Sequence, residues 1–194
     1  PKTSSAASDV YKRQVTNPKV IENLKLQISN SRIIDWATDF NKDAGISYNR
    51  LAHILDYWKN KFSWEQSERE LNSFNQFYFI DEGTKTHFLH LKSPEENALP
   101  LLLIHGWPGS IFEFFDLVPL LINPKKYNLS GSQPFDLIIP SLPNVGFSFS
   151  KKQKPMDLIE ISEHFVKLMN CLGYKNYFIQ GGDLGSFIAS IMSN

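Results

Sequence analysis

"YFIQGGDLGSFIAS", Tyr177 to Ser190, places three of the chain's ten glycines within five residues, around one aspartate. A short apolar run precedes them and a run of helical character follows. Gly181 and Gly185 stand two before and two after Asp183. A tight strand-to-helix turn needs small residues at those offsets, because strand and helix approach too closely there for a Cβ. The central side chain is then pushed out at the top of a sheet. Two readings of the pentad stand: a nucleophile elbow with aspartate in the place of serine, or a glycine-rich turn whose Asp183 caps the next helix. A phosphate-cradling loop fits poorly, since neither G-x-G-x-x-G nor a following Lys-Ser/Thr is present.

Outward from the pentad, strands and helices alternate. Phe77 to Ile80 and Thr86 to Leu91 flank the turn sequence Asp81-Glu82-Gly83-Thr84 and predict an antiparallel hairpin. Strands are then expected at Leu101 to His105, Asp136 to Pro140 and Asn176 to Gln180. Helices are expected at Ile111 to Ile122, at Asp157 to Leu172 with Gly173 as its stop, and from Leu184 onward. An antiparallel entry followed by this alternation predicts a doubly wound α/β sheet, in which sites form at the carboxyl ends of strands. Three loops follow such ends. "HGWPGS", His105 to Ser110, has a backbone bent by two glycines and a proline, "PSLPNVGFS", Pro140 to Ser148, is punctuated by prolines, and the third is the pentad. Taken with the HGWP loop, the pentad reads better as an elbow than as a simple turn.

Upstream the chain reads as helical from Asn17 to about Asn75. Asn17-Pro18 is an N-cap with proline at the first helical position, with Val20, Ile21, Leu24 and Ile28 recurring on one face. Ser47 opens a second helix, with Leu51, Ile54, Leu55 and Trp58 on its stripe, and Ser63 to Gln66 reads as a capping box for a third. Residues 1–14 are polar and unpatterned; they read as a disordered or non-native leader, and SDVYKRQ is similar to a translated sequencing-library adapter. The organisation expected is therefore a leader over 1–14, a helical segment over 15–75 and an α/β core over 76–194.

Composition narrows the partners. The chain has 194 residues, 42% hydrophobic and 13% aromatic, enough for one core. Twenty basic side chains balance twenty acidic ones, so charge gives no reason to expect nucleic acid or an anionic membrane. Cys171 is the single cysteine and reads as a small core residue beside Leu168 and Leu172. Apolar runs fall far short of the roughly 20 residues a membrane-spanning helix needs. Without H-E-x-x-H, paired cysteines or a carboxylate cluster, no metal site is expected.

Four stretches in one order carry a resemblance: "LDYWKNKFSWEQSERELNSFNQF" (Leu55 to Phe77), "LLLIHGWPGSIFEFFDLVPLL" (Leu101 to Leu121), "IIPSLPNVGFS" (Ile138 to Ser148) and "QGGDLGS" (Gln180 to Ser186). Over Val15 to Asn194 the chain resembles the N-terminal portion of a microsomal-type epoxide hydrolase of the α/β-hydrolase superfamily, a group that includes insect juvenile-hormone epoxide hydrolases and soluble microbial relatives. The HGxP motif alone leaves esterases and dehalogenases open; the helical segment before the core is an extension other α/β hydrolases lack.

The resemblance implies an α/β-hydrolase fold and opening of an epoxide to a vicinal diol, with water and no cofactor. Asp183 would be the nucleophile, and the backbone N–H groups of Trp107 and Leu184 the oxyanion hole. His105, Gly106, Pro108 and Gly109 would shape the first loop, and Gly181, Gly182 and Gly185 the elbow. A carboxylate suits this task because it is ionised at neutral pH and attacks saturated carbon without a general base. Two departures stand out. Leu184 occupies a position that is usually tryptophan, and the sequence given ends eleven residues after Asp183. By resemblance the catalytic histidine, its acid partner and the lid tyrosines lie further on, so this stretch alone is expected not to complete the cycle.

The histidines present offer no substitute. His105 is expected to fix its loop by hydrogen bonding, His53 to lie on a helix surface or pack, His87 and His90 to belong to the hairpin, and His164 to sit on a solvated helix face between Glu163 and Lys167. Ser186 lies one turn into the elbow helix, away from its apex, which argues against acyl transfer. Hydrolytic dehalogenation through the same aspartyl ester, and a non-catalytic fragment or binding protein on this scaffold, remain the alternatives. The expected partners are a small epoxide and water, the expected compartment is the cytoplasm, and the oligomeric state is not readable.

Overall fold

The computed structural model describes residues 15–33, 45–129 and 131–194. The leader expected over 1–14 lies outside the described residues. By its internal contacts the chain divides into two units, Arg13–Ser73 and a core of Phe74–Asn194.

The first unit is helical. α1 (Pro18–Asn30) begins where Asn17 accepts a hydrogen bond from the Lys19 N–H, with Pro18 at the first position, where its missing N–H costs nothing. α2 (Tyr48–Asn60) is capped by Ser47 through the Arg50 N–H, and α3 (Trp64–Asn72) by Ser63 through the Gln66 N–H. Thr16 ties the unit's start to α3: its N–H and hydroxyl both donate to Glu68 Oε1, and its Oγ1 accepts from the Trp64 indole at 2.9 Å.

The core is one five-stranded sheet in the order β1-β2-β4-β3-β5. β1 (Gln76–Asp81) and β2 (Thr84–Leu91) form the hairpin. Its two connecting residues, Glu82 and Gly83, both have positive φ, as a two-residue primed turn requires. β2 pairs antiparallel with β4 (Phe135–Pro140), and β4 runs parallel to β3 (Leu99–Ile104). β3 in turn runs parallel to β5 (Phe178–Gly181). Both central strands are covered on two faces, so they read as continuous apolar runs. Leu102, Ile104 and Ile138 lie in one cluster with Phe165, Leu168 and Met169 of α5 (Leu158–Cys171) and Ile188 of α6 (Leu184–Met192). Alternation turns Leu101, Leu103, Leu137 and Ile139 to the opposite face. Cys171 packs against the cluster, half-buried.

Two expectations are corrected. No helix runs from Ile111 to Ile122: a 3₁₀ turn (Ile111–Phe114) is followed by a short α4 (Val118–Ile122) with Pro119 in its first turn. Proline in mid-helix removes an N–H and clashes with the carbonyl four residues back, so the chain restarts instead. His164 is not on a solvated face. It is 2% exposed, and its Nε2 lies 3.0 Å from Thr86 Oγ1. It sits three residues after Ile161 and four before Leu168, on the buried stripe, while its charged neighbours Glu163 and Lys167 flank that stripe.

Candidate active site

Strand register assembles the site. Ile104 pairs with Gly181, so the carboxyl ends of β3 and β5 lie side by side and their loops meet. The turn into α6 is tight enough to forbid side chains. A Cβ on Gly181 would fall 2.2 Å from the Gly185 carbonyl oxygen, and one on Gly185 would fall 2.2 Å from the Ile104 carbonyl oxygen. Gly182 carries no such demand, since a Cβ there meets open space.

Asp183 stands at the apex with φ 50° and ψ −124°, a conformation that a residue with a Cβ rarely adopts and that stores strain. Its side chain makes no capping hydrogen bond to α6. The carboxylate is exposed and turns across to the HGWP loop, where its Oδ2 accepts from the Trp107 N–H at 2.8 Å. This bond, with the adjacent Leu184 N–H contributing, holds the carboxyl below its ordinary pKa. The N-terminus of α6 adds its positive dipole end. Gly106 permits the approach: a Cβ there would lie 2.7 Å from Asp183 Cβ and 2.9 Å from Oδ2. Ser186 Oγ donates to the Asp183 carbonyl oxygen at 2.6 Å, a bond that braces the turn.

The HGWP loop is fixed from beneath. His105 is 1% exposed; its Nδ1 lies 2.8 Å from the Gly106 carbonyl oxygen, and its Nε2 accepts from the Leu142 N–H at 3.0 Å. Burial lowers its pKa and keeps it neutral. Pro108 follows Trp107 through a cis peptide bond. Beyond it, Glu113 Oε1 accepts from the Ser110 N–H and lies over Gly109, where it leaves no room for a Cβ.

The loop after β4 was singled out in the sequence, but no role was read for its serines. Ser141 and Ser148, each 2% exposed, close it on itself: Ser148 Oγ donates to the Ser141 carbonyl oxygen at 2.8 Å. His87 lies beneath, with Nδ1 3.0 Å from Ser141 Oγ, Nε2 2.9 Å from Gln76 Oε1, and its N–H on Ser148 Oγ. The signal was there as paired serines at the ends of "SLPNVGFS", but small polar residues are ordinary in loops. Each core histidine is thus engaged within the fold; His90 Nε2 lies 2.9 Å from the Tyr174 hydroxyl. Among the described residues no cluster of three or more His, Cys, Asp or Glu could hold a metal ion. Nor is any helix there long and apolar enough to cross a membrane.

A family model described as "Epoxide hydrolase N terminus" matches residues 11–114, more than half of the chain. The chain belongs to this epoxide hydrolase family. A second model, the alpha/beta hydrolase fold, matches residues 100–193 and agrees with the sheet order observed. Epoxide hydrolase 1 of Sus scrofa is 36% identical over 182 residues, 92% of this chain and 40% of that protein. Juvenile hormone epoxide hydrolase 1 of Ctenocephalides felis is 36% identical over 91% of this chain and 38% of that protein. The structure of Aspergillus niger epoxide hydrolase superposes with a TM-score of 0.80 at 33% identity, covering 97% of this chain and 50% of that one. The juvenile hormone epoxide hydrolase of Bombyx mori gives 0.82 at 28% identity, covering 99% and 46%. The chain thus spans about 40% of the length of the curated relatives it matches.

In this family member the geometry places an exposed carboxylate at a strained apex, with Oδ2 held by the Trp107 N–H. A carboxylate in such an arrangement has the chemistry of a nucleophile, with a backbone N–H placed to meet charge on one of its oxygens.

Proposed function

We propose that the full-length protein containing this chain opens an epoxide to a vicinal diol through a covalent ester on Asp183. The observation that supports this most is the Asp183 carboxylate held on the Trp107 N–H at the apex of the β5–α6 turn. With Oδ2 held, the second oxygen attacks a ring carbon. A carbon–oxygen bond forms, the ring carbon–oxygen bond breaks, and the departing oxygen takes a proton to become a hydroxyl. Water then adds to the ester carbonyl, and the Trp107 and Leu184 N–H groups meet the resulting oxyanion. Collapse releases the diol and leaves one water oxygen in the Asp183 carboxylate. The four core histidines are engaged elsewhere in the fold, so we assign activation of that water to a histidine outside the described residues, as the resemblance implies.

The experiment is turnover of an epoxide panel by the full-length protein and by Asp183→Asn. An amide in place of the nucleophile is expected to reduce diol formation by about 10⁴-fold or more, while thermal unfolding changes little. Halide release from haloalkanes without diol formation would move the reading to dehalogenation. No turnover of either class would move it to a binding role.

A further inference from the structure

The peptide between Gly106 and Trp107 is held from both sides. Its N–H meets Asp183 Oδ2 at 2.8 Å, and its carbonyl oxygen lies 2.8 Å from His105 Nδ1. In a planar trans peptide the N–H and C=O point in opposite directions, so fixing one fixes the other. The imidazole has one usable arrangement. A backbone N–H can only donate, so the Nε2 that faces the Leu142 N–H at 3.0 Å must be the bare nitrogen, and the hydrogen resides on Nδ1, where it donates to the Gly106 carbonyl. Leu142 cannot drift away, because Ser141 beside it is pinned by the His87 carbonyl, by Ser148 and by the His87 ring.

We propose that His105 is a positioning residue for the oxyanion hole: as the Nδ1–H tautomer imposed by Leu142, it orients and polarises the Gly106–Trp107 peptide so that the Trp107 N–H meets charge on the Asp183 carboxyl. Polarisation follows because a carbonyl that accepts a hydrogen bond makes its own peptide N–H a stronger donor. Without the Nδ1 bond the peptide is free to turn its carbonyl toward Asp183, where it would repel the charge it should stabilise. The inference rests on the Asp183 ester reading and sharpens it. Ester formation takes charge off the carboxylate, whereas ester hydrolysis places charge on that oxygen, so hydrolysis is the half-reaction that depends on His105.

Two substitutions separate the ring's two bonds. In His105→Asn the amide takes the place of Nδ1 and donates to Gly106 but does not reach Leu142. In His105→Gln the amide reaches the place of Nε2 and accepts from Leu142 but does not serve Gly106. In the full-length protein, H105N is expected to keep ester hydrolysis within about fivefold of the unmodified protein. H105Q is expected to lose about 100-fold in that step alone, the scale of a lost oxyanion donor, and to accumulate ester on Asp183 by mass after rapid quenching. Equal losses in the two variants, or a larger loss in H105N, would overturn the proposal. Nitrogen-15 spectra of the imidazole in the unmodified protein give a test that needs no variant to fold: an Nδ1–H tautomer is expected, and an Nε2–H tautomer overturns the proposal. If the unmodified protein forms no ester from any epoxide, the ester reading fails, and the tautomer still decides the positioning geometry.

Discussion

The Trp107 N–H and the Asp183 carboxylate, 76 residues apart in the chain, are joined by a 2.8 Å hydrogen bond. Parallel pairing of β3 with β5 produces this adjacency, because their paired ends release the two loops at the same height. The proposed nucleophile and its proposed oxyanion donor are thereby set by sheet register, the least deformable feature of the core.

Gly106 is the position whose side-chain space lies directly against the Asp183 side chain. Alanine there sets a methyl 2.9 Å from Asp183 Oδ2 and drives the carboxylate off the Trp107 N–H. In the full-length protein we expect Gly106→Ala to lower kcat by about 100-fold. Full activity in this variant would show that the contact is dispensable.

The three elbow glycines should separate cleanly by stability. Gly181→Ala and Gly185→Ala each force a methyl against a backbone oxygen 2.2 Å away, which cannot rotate aside. Each is expected to cost about 3 kcal/mol or more in urea unfolding. Gly182→Ala, facing open space, is expected to cost less than about 1 kcal/mol. Equal costs at all three positions would contradict the geometry.

Acid should destabilise the core through two histidines. Burial, helped by the Lys85 charge, lowers His87 from 6.5 to about 4. Burial likewise lowers His164 to about 4, with Asp81 opposing and Lys167 adding to the effect. Between these limits the unfolded chain binds protons that the folded chain refuses. Stability is therefore complete above about pH 6.5 and falls as the pH drops toward 4, by about 3 kcal/mol for each histidine. Urea midpoints across this window should fall with pH, and His164→Gln should flatten part of the slope. A midpoint independent of pH would contradict the burial of these rings.

Among the described residues β5 stands at one edge of the sheet, with apolar surface beside it. Phe178 is 56% exposed, Phe187 59% and Ile191 36%. An open strand edge flanked by such side chains promotes association, so the 194-residue chain is expected to self-associate in light scattering. Phe178→Lys with Phe187→Glu is expected to reduce it. A monodisperse, cooperatively unfolding monomer would count against this.

Legibility in the sequence followed how local the determining physics was. The caps at Asn17 and Ser47, the Glu82-Gly83 turn and the small residues around Asp183 are fixed by neighbours in the chain, and each could be read there. The break at Pro119 was equally local and was missed because the apolar periodicity around it is strong. His164 was misread because charged neighbours masked its place on the buried stripe, and the Ser141–Ser148–His87 network was missed because it joins residues up to 61 apart. The Trp107–Asp183 bond could be inferred only by resemblance, since no local pattern states which strands pair.

Oxygen-18 water distinguishes attack by the Asp183 carboxylate from direct attack by water. After a single turnover of an epoxide by the full-length protein, peptide mass spectrometry should find the heavy oxygen in the Asp183 carboxylate and an unlabelled diol. Label in the diol with none in Asp183 would mean direct attack by water, and would contradict the role assigned to the carboxylate at this turn.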